Sequence, residues 1–212
     1  MENIRVLLVD DHEVVRAGYR RLFESTGDIA VVAEATDGES AYQSYLACRP
    51  TVVVMDLTMP GIGGLDASRR ILARDPGARI LVFSVHENEV FLSRAMDLGI
   101  LGYISKRNAS RVMIEAVRCV ARGEVFIGQE MMPHLLRRQQ SDDGERVAGL
   151  SPREFEVFRL RAEGKSVNEI AGLLNVSPKT IGHHHTSVKQ KLGAANSAEL
   201  TRLAIRLGII SP

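Results

Sequence analysis

Five polar side chains stand where short apolar runs give out. Asp10 and Asp11 close IRVLLVDD, Asp56 closes TVVVMD, Ser84 comes near the end of RILVFSV, and Lys106 follows GYIS. Three carboxylates drawn together repel one another and invite a hard cation. Mg2+ accepts such oxygen donors, taking one or two carboxylates directly and keeping several waters. A lysine adds a second positive charge and a serine a hydroxyl donor. Together these are the parts needed to hold a phosphoryl group. Each residue alone has a plainer use: adjacent acids cap helices, a lysine after a strand is solvated, a serine satisfies nearby backbone. The weight lies in five of them recurring at the ends of successive runs.

The runs themselves say what would position these residues. They are four to seven residues long, rich in Val and Ile, and unbroken rather than alternating. That pattern suits strands buried on both faces of a parallel sheet. Helical patterns lie between them, near residues 12–26, 38–48, 64–74, 87–98 and 109–122. Five strands alternating with five helices predict a doubly wound α/β domain over residues 1–123. Such a sheet gathers its sites beyond the carboxyl ends of the strands, which puts all five polar residues on one edge.

VLLVDDHEVVRAGYRRL, MDLTMPGIGGLDA and GYISK resemble the receiver domain of bacterial two-component response regulators. The resemblance implies a flavodoxin-like five-stranded parallel sheet and a phosphoryl group passed from a sensor histidine kinase to Asp56. It implies Mg2+ held by the side chains of Asp11 and Asp56, the main-chain carbonyl of Thr58, and Asp10 directly or through water. Lys106 would pair with the phosphoryl oxygens, and Ser84 would hydrogen-bond one of them and move on activation. Tyr103 matches the switch aromatic; its plainer reading is a half-buried packing residue. In one place the chain departs from the pattern: Arg107 stands where the family often has proline, which leaves the shape of that loop open. His86, two residues past Ser84, reads as a surface histidine, with a place beside the site as the alternative.

Beyond Gly123 the strand pattern ends. QEMMPHLLRRQQ offers a helical turn or two, SDDGERVAG reads as a mobile linker, and residues 124–149 are taken together as a linker. From residue 150 to 212 the signals are helical. Ser151 and Ser166 each precede a glutamate by three residues, Ser177 precedes Pro178, and Ser197 is a candidate fourth cap. Gly164, Gly193 and Gly208 stand at the expected stops. Four short helices predict a small all-α domain.

Within it, IGHHHTSVKQKLG poses a choice between a metal site and a reading surface. At about 100° per residue, Ile181, Val188 and Leu192 share one direction and predict the buried stripe. Lys179, His183, Thr186 and Gln190 face the other way, with Gly182 at the margin. The three histidines fan around the helix, which is poor geometry for a metal. LSPREFEVFRLRAEGKSVNEIAGLLNVSPKTIGHHHTSVKQKLG resembles the DNA-binding domain of the NarL/FixJ/LuxR group, a helix-turn-helix. The resemblance implies base contacts by Gly182, His183 and Thr186. It gives His184 a packing role with a phosphate contact. Lys179, Thr180, Lys189 and Lys191 are placed for phosphates. The plainer reading is a solvated polar face.

Charge agrees with this division. Residues 150–212 hold nine Lys/Arg against five Asp/Glu, while residues 1–122 hold fifteen against sixteen. The start MENIRVLLVDD is no signal peptide, no run reaches membrane length, and Cys48 and Cys119 lack metal-ligand spacing. A cytoplasmic protein with reduced thiols and no membrane partner is expected. The reading is a DNA-binding transcriptional regulator of the NarL/FixJ type, switched by phosphorylation of Asp56 and needing Mg2+. Its expected partners are a sensor histidine kinase, double-stranded promoter DNA and a second copy on phosphorylation or DNA binding, with RNA polymerase a further candidate. The stripe Leu200, Leu203, Ala204 and Leu207 serves as core, with or without a dimer seam. Three alternatives remain: a receiver-like regulator working without phosphate, a ligand-sensing regulator, and a small-molecule phosphotransferase or phosphatase. The last lacks a D-x-D-G-T motif and a Walker loop, so no enzyme is expected.

Overall fold

The computed structural model describes residues 3–137 and 142–210. It divides into two compact units, Met1–Glu87 with Ala95–Met132, and Asn88–Arg94 with Pro133–Pro212.

In the first unit, strands and helices alternate: β1 (Ile4–Val9), α1 (Glu13–Glu24), β2 (Ile29–Ala35), α2 (Gly38–Cys48), β3 (Val52–Met55), α3 (Gly64–Arg74), β4 (Ile80–Ser84), α4 (Glu89–Asp97), β5 (Gly102–Ser105) and α5 (Ala109–Ala121). All strand pairs are parallel. The order is β2-β1-β3-β4-β5-β6, so five of the strands fall where their apolar runs predict. The sixth, β6 (Phe126–Ile127), is a finding: two residues are too short a run to signal a strand, and the open edge of β5 supplies their pairing.

The unbroken apolar runs are buried on both faces. Val6, Leu8, Val52, Val54, Leu81, Phe83 and Ile104 form one core with Phe23 of α1 and Met113, Ala116, Val117 and Val120 of α5. Their neighbours in sequence, Leu7, Val9, Val53, Met55, Ile80, Val82 and Tyr103, are also buried. Side chains alternate along a strand, so these point to the opposite face.

The second unit is helical after its shared stretch of α4: α6 (Met132–Arg137), α7 (Asp142–Ala148), α8 (Pro152–Ala162), α9 (Val167–Leu173), α10 (Pro178–Leu192) and α11 (Ser197–Arg206). Both expected capping boxes form, Ser151 with Glu154 and Ser166 with Glu169. Ser177 caps α10 by accepting from the Thr180 N–H. The fourth cap is Asn196 rather than Ser197; Asn196 accepts from the Glu199 N–H at 3.0 Å, and Ser197 begins the helix. Gly164, Gly193 and Gly208 take the left-handed conformation that ends a helix cheaply only in glycine. Val157, Leu160, Ile170, Ala171, Leu174 and Ile181 make the core, and Leu200, Leu203 and Ala204 of α11 are buried within the unit.

The expected linker holds helix α7 over Asp142–Ala148; Arg138–Ser141 lie outside the described residues. The stabilising partner is distant in sequence. Arg94 donates to the carbonyls of Val147 at 2.9 Å and Leu150 at 2.8 Å, satisfying groups left open at a helix end. Its guanidinium also lies 4.4 Å from the Phe155 ring centre.

Two glycines make opposite demands. A Cβ at Gly64 would fall 1.9 Å from the Asp56 carbonyl oxygen, so α3 can start against the end of β3 only without a side chain. A Cβ at Gly182, inside α10, would meet nothing within 4 Å. Gly64→Ala should therefore destabilise the first unit by about 1–3 kcal/mol. Gly182→Ala should stabilise the second by about 0.5–1 kcal/mol. Urea unfolding of each variant should shift in opposite directions, and a gain from Gly64→Ala would show that the Asp56 backbone can give way.

Candidate functional site

The strand order reverses between β1 and β3, and ligands in such sheets bind at that reversal. Asp10 follows β1 and Asp56 follows β3, so parallel pairing of Val9 with Met55 brings the two acids side by side. Both are buried. Asp11 is the exposed neighbour. Lys106, carried in from the end of β5, donates from Nζ to Asp10 Oδ2 at 2.6 Å and to Asp56 Oδ2 at 2.8 Å. The Thr58 N–H donates to Asp56 Oδ1 at 3.2 Å. Three of the sequence-predicted residues are thus in direct contact, and Asp11 and Thr58 border them.

The charges are in tension. Burial pushes the Asp56 carboxyl above the usual carboxylate range; the Lys106 ammonium pulls it down without cancelling the rise, and Asp10 adds to it. Burial works against the Lys106 charge too, but Asp56 and Asp10 outweigh it and hold the ammonium above its usual range. Two buried carboxylates meet one ammonium, with Asp11 exposed beside them. An oxygen-rich, negatively charged pocket of this kind suits a hard divalent cation. The donor geometry fits as well: one ligand atom from each of Asp10, Asp11, His12 and Asp56 lies within 4.8 Å of the others.

The sequence reading passed over His12. Its N–H donates to Asp10 Oδ1 at 2.8 Å and its Nδ1 lies 2.8 Å from Asp11 Oδ1. Adjacency to the acid pair was the available signal. His86 is not a plain surface residue: its Nε2 lies 3.0 Å from Thr58 Oγ1, and its N–H donates to Ser84 Oγ at 3.2 Å. Tyr103 is fully buried rather than half-buried, and its hydroxyl donates to the His86 carbonyl at 2.8 Å. Burial raises its pKa, so it stays a neutral donor. Ser84, His86, Thr58 and Tyr103 therefore form one bonded loop around the end of β4. Arg107 gives its loop a bond that proline could not: its N–H donates to Ser105 Oγ at 3.2 Å.

On α10, Ile181, Val188 and Leu192 are buried as the stripe requires. Lys179, Thr180, His183 and Thr186 are exposed; Gly182, His184 and Lys189 are half-buried. Burial first, then the Arg153 charge, lowers the pKa of His184, which keeps it neutral. The three histidines enter no converging ligand group among the described residues. Lys179, Thr180, His183 and His184 line an open pocket with Ser177, Ser187 and Glu154. Lys191 is engaged otherwise than expected: its Nζ donates to Glu154 Oε2 at 2.6 Å.

Comparison with known proteins assigns both halves. Residues 6–118 match the response regulator receiver domain, and residues 148–204 match the bacterial regulatory proteins of the luxR family. The chain is 38% identical over 208 residues to the response regulator UvrY of Escherichia coli strain K12, covering 97% of this chain and 95% of that protein. Among solved structures it is similar to RcsB of Salmonella enterica serovar Typhimurium bound to promoter P1flhDC with the phosphomimetic BeF3−. The TM-score is 0.69 at 32% identity, covering 95% of this chain and 98% of that one. A structure of two RcsB dimers on two parallel DNAs matches with a TM-score of 0.62 at 32% identity, over 95% of this chain and 98% of that one.

Lys106→Met tests the charge balance. Without the ammonium, the Asp56 carboxyl should titrate at still higher pH, read by carboxyl 13C NMR. A folded pKa above the unfolded value means that this group's contribution to stability is present at low pH and is lost as pH rises through the folded value. The variant should therefore go on losing stability up to a higher pH than the wild type does. An unmoved Asp56 midpoint would show that Lys106 does not set the balance.

Proposed function

Because this chain belongs to the two-component response regulators that join a receiver domain to a LuxR-type DNA-binding domain, we propose that Asp56 receives a phosphoryl group from a sensor histidine kinase. The reading also makes the C-terminal unit a reader of promoter DNA. It rests above all on the buried Asp56 carboxylate, bonded to Lys106 at the sheet's point of reversal. An Asp56 oxygen attacks phosphorus and the donor's bond to phosphorus breaks, leaving an acyl phosphate. Asp10, Asp11, Asp56 and the Thr58 carbonyl would hold Mg2+, which would supply positive charge against the phosphoryl oxygens. Lys106, already within reach of Asp56, turns to a phosphoryl oxygen.

Ser84 links this event to the rest of the unit. Its hydroxyl, which accepts from the His86 N–H, turns to donate to another phosphoryl oxygen. Drawing on that hydroxyl pulls the loop that Tyr103 holds through the His86 carbonyl. The chain runs from these residues straight into Asn88–Arg94, which belongs to the second unit. Phosphorylation thereby favours a DNA-binding dimer, as RNA polymerase recruitment at a promoter would use. The protein acts in the cytoplasm as a regulator and not as an enzyme; among the described residues no helix is long and apolar enough to cross a membrane.

On α10, Gly182, His183 and Thr186 face base edges in the major groove. Lys179, Thr180, His184 and Lys189 flank them toward phosphates, helped by the N–H groups at the helix start.

Incubation with a small phosphodonor and Mg2+ should place one alkali-labile phosphoryl group on Asp56, located by mass spectrometry. Equal labelling of Asp56→Ala would sink the assignment. For DNA, Lys189→Ala should weaken binding to all sequences and reduce the slope of log affinity against log salt by about 0.9. His183→Ala should instead reduce discrimination at one base pair by about 1–3 kcal/mol. Uniform loss of affinity from both variants would show that the outward stripe does not read bases.

A further inference from the structure

Two lysines flank the outward stripe of α10. At about 100° per residue, Lys189 and Lys191 lie on opposite sides, each about 100° from the centre of that stripe. From the sequence they are equivalent. In the structure they are not. Among the described residues the Lys189 side chain makes no hydrogen bond or ion pair, whereas Lys191 donates to Glu154 at 2.6 Å.

Glu154 is an unusual partner. It lies in the first turn of α8 and is only 6% exposed. Oε2 accepts from the Ser151 N–H at 2.7 Å as well as from Lys191; Oε1 accepts from Ser187 Oγ at 2.6 Å. Ser187 and Lys191 are four residues apart, hence on one face of α10. Burial opposes the carboxylate charge, but Lys191, Ser187 and Ser151 together outweigh it and hold the pKa down to about 2. The charge is permanent at any working pH. Were Lys191 to leave for a phosphate, a buried carboxylate would lose the one cation that hydrogen-bonds to it among the described residues, and breaking one side of such a pair is costly.

We propose that Glu154 is a specificity-determining positioning residue: through Ser187 and Lys191 it fixes the rotation of α10 about its own axis, and Lys191 serves as this tie instead of contacting phosphate. The consequence is geometric. The tie holds one flank of α10 against the start of α8, so the direction in which His183 and Thr186 point is set by a carboxylate that never meets DNA. The inference rests on the DNA-reading role of α10 argued above.

The test uses the full chain and a duplex selected from random sequence by the wild type, beside a scrambled duplex of equal length. Lys191→Met and Glu154→Gln should each lower discrimination between the two roughly tenfold. Both should leave the salt slope at the wild-type value, while Lys189→Met lowers it by about 0.9. The double variant should be no worse than either single one. Ser187→Ala, which leaves the capping box of α8 intact, should show the same loss in milder form; it carries the test if Glu154→Gln does not fold. A slope lowered by Lys191→Met as much as by Lys189→Met would overturn the proposal, as would unchanged discrimination in Ser187→Ala or Glu154→Gln. If the wild type itself prefers no duplex, the DNA-reading role fails separately. The tie is then judged by thermal unfolding of the Glu154/Lys191 double-mutant cycle, where strict additivity overturns it and coupling supports it.

Discussion

The constraint on which the first unit turns is the burial of two carboxylates beside one ammonium. Asp10 and Asp56 are brought together by the parallel pairing of β1 and β3, and both are almost wholly buried. Lys106 answers both, at 2.6 and 2.8 Å, yet the Asp56 carboxyl stays above its usual range. A pocket in this condition is poised. A divalent cation would relieve it, and so would the proposed conversion of Asp56 into an acyl phosphate whose oxygens Lys106 could meet. The sheet supplies the energy for this arrangement. Its strands are apolar on both faces, so enough surface is buried to hold an unfavourable charge cluster at one edge.

The same logic explains which parts of the molecule could be read from its sequence. Strands β1 to β5 were legible because a doubly covered sheet demands unbroken apolar runs, and Val52–Met55 can satisfy nothing else. The capping boxes at Ser151 and Ser166 were legible because their partners lie three residues away. Helix α7 was not, because Arg94 supplies its end with donors from a distance of 53 residues along the chain. Strand β6 was not, because its two residues answer an open edge made elsewhere. The candidate site divides in the same way. Residue type at a strand end pointed to Asp10, Asp56 and Lys106. The bonds of His86 to Thr58 and of Glu154 to Lys191 join segments 28 and 37 residues apart, and no local pattern encodes them.

The two ends of the molecule handle charge in opposite ways. At the sheet edge, unlike charges are buried with an excess of acid, and the imbalance is the chemistry. At the start of α8, Glu154 is buried with every lone-pair direction it needs answered, and the result is rigidity. The difference is visible in the direction of the shifts: Asp56 rises above the ordinary carboxylate range, while Glu154 is held at about 2. Burial opposes the charge in both, so burial alone does not decide the sign. What decides it is the number of donors. Glu154 receives a backbone N–H, a hydroxyl and an ammonium to itself. Asp56 receives one backbone N–H and shares its ammonium with Asp10.

That comparison also separates two uses of lysine that composition treats alike. Lys106 and Lys191 each contact a buried carboxylate at under 3 Å, and neither counts simply as surface charge. On the proposed reading the Lys106 contact is provisional, because a phosphoryl group on Asp56 would offer it new, charged oxygens. For Lys191 there is no such successor: moving to a DNA phosphate would leave Glu154 buried and without its hydrogen-bonded cation, so gaining one contact would mean uncovering another charge. The net positive charge of the C-terminal sequence therefore overstates what it can present to DNA. On the proposed reading, electrostatic attraction would fall to the cations of α10 whose side chains make no ion pair among the described residues, Lys179 and Lys189. On the same proposed reading, sequence discrimination would fall to the neutral residues between them, which could read bases only while the helix keeps the rotation proposed for the Glu154 tie.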